Sequence, residues 1–143
     1  MKIEGKRVVV TGAASGIGRA LAHAFNHKGA SKVVCVDINF EEVQNTADSI
    51  NGHAIKCNVG DENEIQDLVQ ESTDWMEGID IFCSNAGIMG EIGLLETSSE
   101  KWQSIWEINV MAHVYAAKAV LPQMLERGEG YLMNTASAAG LLT

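Results

Sequence analysis

Val8-Val9-Val10-Thr11-Gly12-Ala13-Ala14-Ser15-Gly16-Ile17-Gly18-Arg19-Ala20 is the stretch whose reading decides the fold. Three β-branched valines stop at a glycine, and beyond Gly18 the pattern changes to Ala20-Leu21-Ala22 and Ala24-Phe25, which suits a helix. The order is strand, glycine turn, helix. Gly12 lets the chain turn sharply, Gly16 leaves no Cβ between the backbone and an approaching phosphate, and Gly18 lets the helix lie close to the sheet. The helix N-terminus then offers unpaired N–H groups and a partial positive charge to a pyrophosphate. The spacing is G-x-x-x-G-x-G where G-x-G-x-x-G is commoner, so taken alone the stretch suits a plain turn as well as a dinucleotide site.

The chain of 143 residues has the length of one ordinary domain, and 46% apolar residues suffice for a core. Ten Lys and Arg against 19 Asp and Glu give a net charge of −9, which opposes binding to a polyphosphate backbone, so nucleic acid is not an expected partner. No apolar run is long enough for a membrane span, and Met1 to Arg7 leads into the first strand without a signal-peptide core. A cytoplasmic protein is expected. Cys35, Cys57 and Cys83 lie in or at the end of apolar runs with neither disulfide nor zinc spacing, which predicts buried free thiols. His23, His27, His53 and His113 are scattered, so no metal site is expected, and His113 is assigned to packing or surface. Trp75, Trp102 and Trp106 are assigned to packing.

Strand and helix alternate outward from the glycine stretch. Gly29 closes the first helix, and Lys32 to Asp37 is a second strand ending on a carboxylate. Phe40, Val43, Ala47 and Ile50 mark a helix over about 40–51, and His53 to Val59 is a third strand. Asp61 with Glu64 has capping-box spacing ahead of the apolar face Ile65, Leu68, Val69 and Met76. Ile79 to Ser84 is strand four, one long helix runs from Ser98 to about Glu126, and Tyr131 to Thr135 is strand five. Pro122 should free the Lys118 carbonyl and bend that helix locally. Strands linked by such helices pair in parallel with right-handed crossovers, so the fold class is α/β, a doubly wound Rossmann-type parallel sheet.

Ligands of such sheets bind beyond the carboxyl ends of the strands, where strand order reverses. Gly12 to Gly18, Asp37, Asn58 and Asn85-Ala86-Gly87 all fall at strand ends. Asp37 lies 19 residues beyond Gly18, near the offset of about 20 for an acidic residue that binds the adenosine ribose. A carboxylate there repels a 2′-phosphate, and Ser15 puts no cation in the loop, so NAD is expected over NADP.

These residues together resemble the short-chain dehydrogenase/reductase family: Thr11-Gly12-x-x-x-Gly16-x-Gly18, Asn58-Val59 where the family has Asp-Val, Asn85-Ala86-Gly87, Asn109-Val110, and Gly130 to Gly140 around Ser137. The resemblance implies a cofactor site of Gly12, Ser15, Gly16, Ile17, Gly18, Asp37, Ile38, Asn58, Val59, Asn85, Ala86 and Gly87. It also implies Asn109 and Ser137 as two of four catalytic residues, a secondary alcohol or ketone as substrate, and a homo-oligomeric parent, dimer or tetramer. At Asn58 the side-chain carbonyl is expected to remain available to the adenine. Hydride transfer needs a group that shuttles the hydroxyl proton and a donor to the carbonyl oxygen, which in the family are a Tyr, assisted by a Lys four residues on, and a Ser. Ser137 is placed at the end of strand five, with Ala138, Ala139 and Gly140 leaving room for a substrate. Tyr115 is followed by Lys118 and Tyr131 by Thr135, so no Tyr-x-x-x-Lys is present. The expectation is an N-terminal part of a single-domain dehydrogenase, residues 1–143 forming its NAD-binding region, inactive by itself. The alternative is an NAD-binding module or truncated isoform that acts as a regulatory partner without turnover.

Overall fold

A computed structural model describes residues 2–90, 93 and 95–138. Five parallel strands lie in the order β3-β2-β1-β4-β5: β1 (Arg7–Thr11), β2 (Lys32–Asp37), β3 (His53–Lys56), β4 (Ile81–Ser84) and β5 (Tyr131–Asn134). The α/β doubly wound sheet is therefore present as expected. Order reverses between β1 and β4, so the crevice beyond their carboxyl ends is the place for a ligand.

The valine run shows why both faces must be covered. Val8 and Val10 pack with Ala22, Phe25, Val43 and Ala47 on one side, while Val9 joins Leu68, Phe82, Ala116 and Val120 on the other. Period-two alternation sends neighbouring side chains to opposite faces, so an unbroken apolar run needs helices on both. These are α1 (Gly16–His27) and α2 (Phe40–Asp48) on one face, and α3 (Glu62–Met76) and α5 (Ala112–Arg127) on the other, with α4 (Ser99–Trp106) preceding α5. Cys35, Cys57 and Cys83 are buried free thiols.

Several boundaries differ from the sequence expectation. Phe40 opens α2 but is 47% exposed, because the first turn projects beyond the sheet while Val43 and Ala47 reach it. β3 stops at Lys56, since Asn58 turns the chain toward α3 with its own Oδ1 accepting from Gly60 N at 3.1 Å. The Asp61 cap forms as expected, its Oδ1 accepting from Asn63 N at 2.8 Å and Glu64 N at 3.3 Å. Glu64 reaches past Asp61 and accepts from Asn58 N at 2.6 Å. β4 begins at Ile81, and β5 ends at Asn134.

The expected single long helix is three pieces: α4, a π-helical segment (Glu107–Met111), and α5, which continues through Pro122. Trp102 and Trp106 are half exposed and not packing residues. With Val110, Val114, Leu121 and Leu125 they form an exposed apolar line along α4 and α5. Trp75 packs as expected, stacked on His53 with ring centroids 5.1 Å apart.

Candidate active site

At the switch point the two strand ends are knitted together through Thr11. Its buried hydroxyl accepts from Asn85 N at 2.9 Å and Ala86 N at 3.1 Å, and Asn85 Nδ2 returns a bond to the Thr11 carbonyl at 3.0 Å. A buried hydroxyl at the end of a valine run needs such partners, and that polar interruption was the signal in the sequence for a site residue left out of the expected set. Asn85 Oδ1 also accepts from Thr135 Oγ1 at 2.9 Å, so one amide spans β1, β4 and the chain leaving β5.

Close approach explains the glycines. Gly12 has φ +69°, and a Cβ there would lie 2.9 Å from Ala86 Cα. A Cβ on Gly18 would stand 2.0 Å from the Gly12 carbonyl oxygen and 2.7 Å from Asn85 Nδ2. The start of α1 is thus seated on the glycine turn itself. At Gly16 nothing lies within 4 Å of the Cβ position, which leaves the loop open to a ligand. Gly18→Ala is expected to destabilise the chain by about 1–3 kcal/mol or more, because the Gly12 backbone and the bonded Asn85 side-chain amide leave the methyl nowhere to go. Thermal unfolding checks this, and an unchanged Tm would contradict the seating of α1.

A cavity of about 120 Å³ lies beside the turn, lined by Gly12, Asp37, Ile38, Asn58, Val59, Ala86 and Gly87 among others. Seven expected cofactor residues thus share one wall. Ile17 and Asn85 line the second cavity described below, with Ala86 and Gly87 common to both. Ser15 is the N-cap of α1, with no side-chain cap bond. Asp37 is held from two sides, Oδ2 accepting from Ala14 N at 3.1 Å and Oδ1 from Asn39 N at 3.0 Å. Its carboxylate is therefore oriented before any ligand arrives. Asn58 also lines the cavity, and its side-chain carbonyl accepts from Gly60 N at 3.1 Å. Cys57 contributes a wall whose thiol burial pushes up to about 12, with Glu64, Asp61 and Asp67 adding to the rise. It stays protonated at neutral pH and supplies no nucleophile.

A larger cavity of about 570 Å³ shares Ala86, Gly87 and Ile88 with the first and is reached by Ile17, Asn109, His113, Asn134, Thr135 and Ser137. Ser137 is exposed and lies three residues beyond β5, because the strand ladder ends with Asn134 and a further bond from Thr135 N to the Ser84 carbonyl at 3.1 Å. Ala139 and Gly140, expected to leave space after it, lie outside the described residues. Asn109 sits in the π segment and faces Ile88: Oδ1 accepts from Ile88 N at 2.9 Å and Nδ2 donates to Ile88 O at 2.8 Å. Both ends of the amide hold the backbone of one residue, so Asn109 shapes the loop after β4. His113, which sequence reasoning assigned to packing or surface, is another cavity residue, and its position one turn after Asn109 was the available signal.

The short chain dehydrogenase family model matches residues 6–143. The chain belongs to this family. An uncharacterized oxidoreductase of Staphylococcus aureus is 36% identical over 138 residues, covering 94% of this chain and 59% of the relative. The 1-deoxy-11-beta-hydroxypentalenate dehydrogenase of Streptomyces exfoliatus is 34% identical, covering 99% of this chain and 54% of that enzyme. A short chain dehydrogenase/reductase from Burkholderia phymatum, crystallised in complex with NAD, superposes with a TM-score of 0.95 at 29% identity over 100% of this chain and 53% of its own. One from Mycobacterium marinum gives 0.89 at 31% identity, with 99% and 59% covered. This short chain dehydrogenase chain thus spans between half and three-fifths of the length of these relatives. Among its described residues no helix is long and apolar enough to cross a membrane, and no group of three His, Cys, Asp or Glu is placed to hold a metal ion.

Proposed function

We propose that residues 1–143 are the NAD-binding, N-terminal part of a single-domain oxidoreductase that moves a hydride between NAD(H) and a secondary alcohol or ketone. The observation that carries this reading is the Asp37 carboxylate, fixed by two backbone N–H groups beside the cavity of Gly12, Ile38, Asn58 and Val59. A carboxylate in that place accepts from ribose hydroxyls and repels a phosphate. The open glycine turn at the start of α1 suits a pyrophosphate, and the larger cavity bearing Ser137 suits the nicotinamide and the reacting carbon. When bound, the nicotinamide supplies the hydride acceptor. Ser137 donates to the substrate oxygen as negative charge develops, while Asn109 holds the Ile88 backbone and the loop that walls the cavity. These residues contain no Tyr-x-x-x-Lys pair to shuttle the proton, so by themselves they bind NAD without turnover. Homo-oligomers of the parent bury the apolar line along α4 and α5.

The cofactor assignment is tested by exchanging charge. Asp37→Ala combined with Ile38→Arg removes the repulsion and places a cation at an exposed position on the cavity rim. The ratio of NADP to NAD affinity should rise by roughly ten- to a hundredfold, the worth of one charge-assisted hydrogen bond. Titration calorimetry on both chains reads this ratio. Equal binding of NAD and NADP by the unaltered chain would remove Asp37 from the role.

A further inference from the structure

His113 belongs to no role described so far, yet its ring is placed by polar contacts. Nδ1 lies 2.7 Å from Ser84 Oγ. Ser84 is 4% exposed and ends β4, where its carbonyl also accepts from Thr135 N. An aliphatic side chain at 113 would fill the same space but leave that buried hydroxyl without its imidazole partner, so packing alone does not account for a histidine.

The ring also stands one turn after Asn109, across the end of an irregular segment. In the π segment Ala112 N bonds back to the Glu107 carbonyl, one residue further than in an α-helix. Such a turn is less favourable than α-helix and persists where the surroundings hold it. Two anchors hold it here: the paired bonds between Asn109, within it, and Ile88, and the contact of His113, just beyond it, with Ser84. Both side chains reach the cavity that holds Ser137. Burial pushes the imidazole pKa below its ordinary value, against a hydrogen bond to the Asn109 backbone that raises it. The ring is then neutral at neutral pH, with one N–H and one bare nitrogen, and a serine hydroxyl can satisfy Nδ1 in either tautomer.

We infer that His113 is a positioning residue of the active site: by tying the π segment to the end of β4 through Ser84, it holds the Asn109 amide on the Ile88 backbone. The role rests on the dehydrogenase reading only for its consequence in turnover. The geometry is that of the chain alone.

The decisive measurement uses the chain without cofactor. Hydrogen exchange by NMR should show a protected Ile88 N–H, and Ser84→Ala, which removes one oxygen and no packing, should speed its exchange about tenfold while Val9 and Val34 in the sheet centre stay protected. His113→Phe should do the same, and the double variant should add nothing further, since either change breaks one contact. His113→Gln, which restores a donor and an acceptor, should recover part of the protection. Unchanged Ile88 exchange in Ser84→Ala, or full additivity in the double variant, would overturn the proposal. In the complete enzyme Ser84→Ala should lower kcat about tenfold with KM for NAD unchanged. Faster Ile88 exchange with unaltered kcat would uphold the positioning and count against the cavity at Ser137 as the reaction site.

Discussion

Asp80→Ala should lower the stability of the chain by about 3 kcal/mol, the low end for breaking a buried ion pair. Asp80 is the point where β1, β4 and the end of α5 meet. Its Oδ2 accepts from Arg7 N at 2.9 Å and Arg7 Nε at 2.8 Å, its Oδ1 accepts from Arg7 Nη2 at 2.7 Å, and Arg127 Nη2 is 3.7 Å away. The Asp80 side chain is 7% exposed, whereas Arg7 and Arg127 are 23% and 28% exposed, so water relieves part of the charge left behind. A chain of this size should lose roughly 10 °C in Tm, and calorimetric or denaturant unfolding reads the change. The pair also sets a pH dependence. Burial alone would raise the Asp80 pKa, but the hydrogen bonds and charge of Arg7 outweigh it and hold the carboxyl below its ordinary value. A folded pKa below the unfolded one adds stability that is complete above the ordinary carboxylate pKa of about 4 and is lost as pH falls through the folded value. The acid limb of the stability curve should therefore flatten in Asp80→Ala, and an unchanged limb would assign acid sensitivity to other groups.

Ser137→Ala in the complete enzyme should lower kcat by about a hundred- to a thousandfold, the loss found when one donor to a developing oxyanion is removed. NAD affinity should be unaltered, because Ser137 is assigned to the substrate oxygen and lies outside the cavity of Asp37, whose carboxylate is assigned to the ribose. Steady-state kinetics combined with calorimetric NAD titration separates the two. Equal losses in turnover and affinity would show that Ser137 acts on the cofactor and not on the substrate oxygen.

That the glycine loop, Asp37 and Asn85 to Gly87 would be neighbours was legible because each stands at the carboxyl end of an apolar run, and parallel strands bring their carboxyl ends to one edge. Asn58 was legible in position but not in its local bond to Gly60. An Asx turn competes with any outward role for its carbonyl, and nothing in local spacing says which wins. The exposure of Trp102 and Trp106 was likewise hidden, since a helix face is assigned to the core by composition until its neighbours are known.

What the sequence determined by itself was the order of elements and the parallel sheet, because valine runs covered on both faces and joined by helices admit few other arrangements. The tertiary structure alone decided the π segment, the pairing of Asn109 with Ile88 and the contact of His113 with Ser84. Those bonds join residues more than 20 positions apart, and they form only once β4 and the loop after it stand opposite the helix.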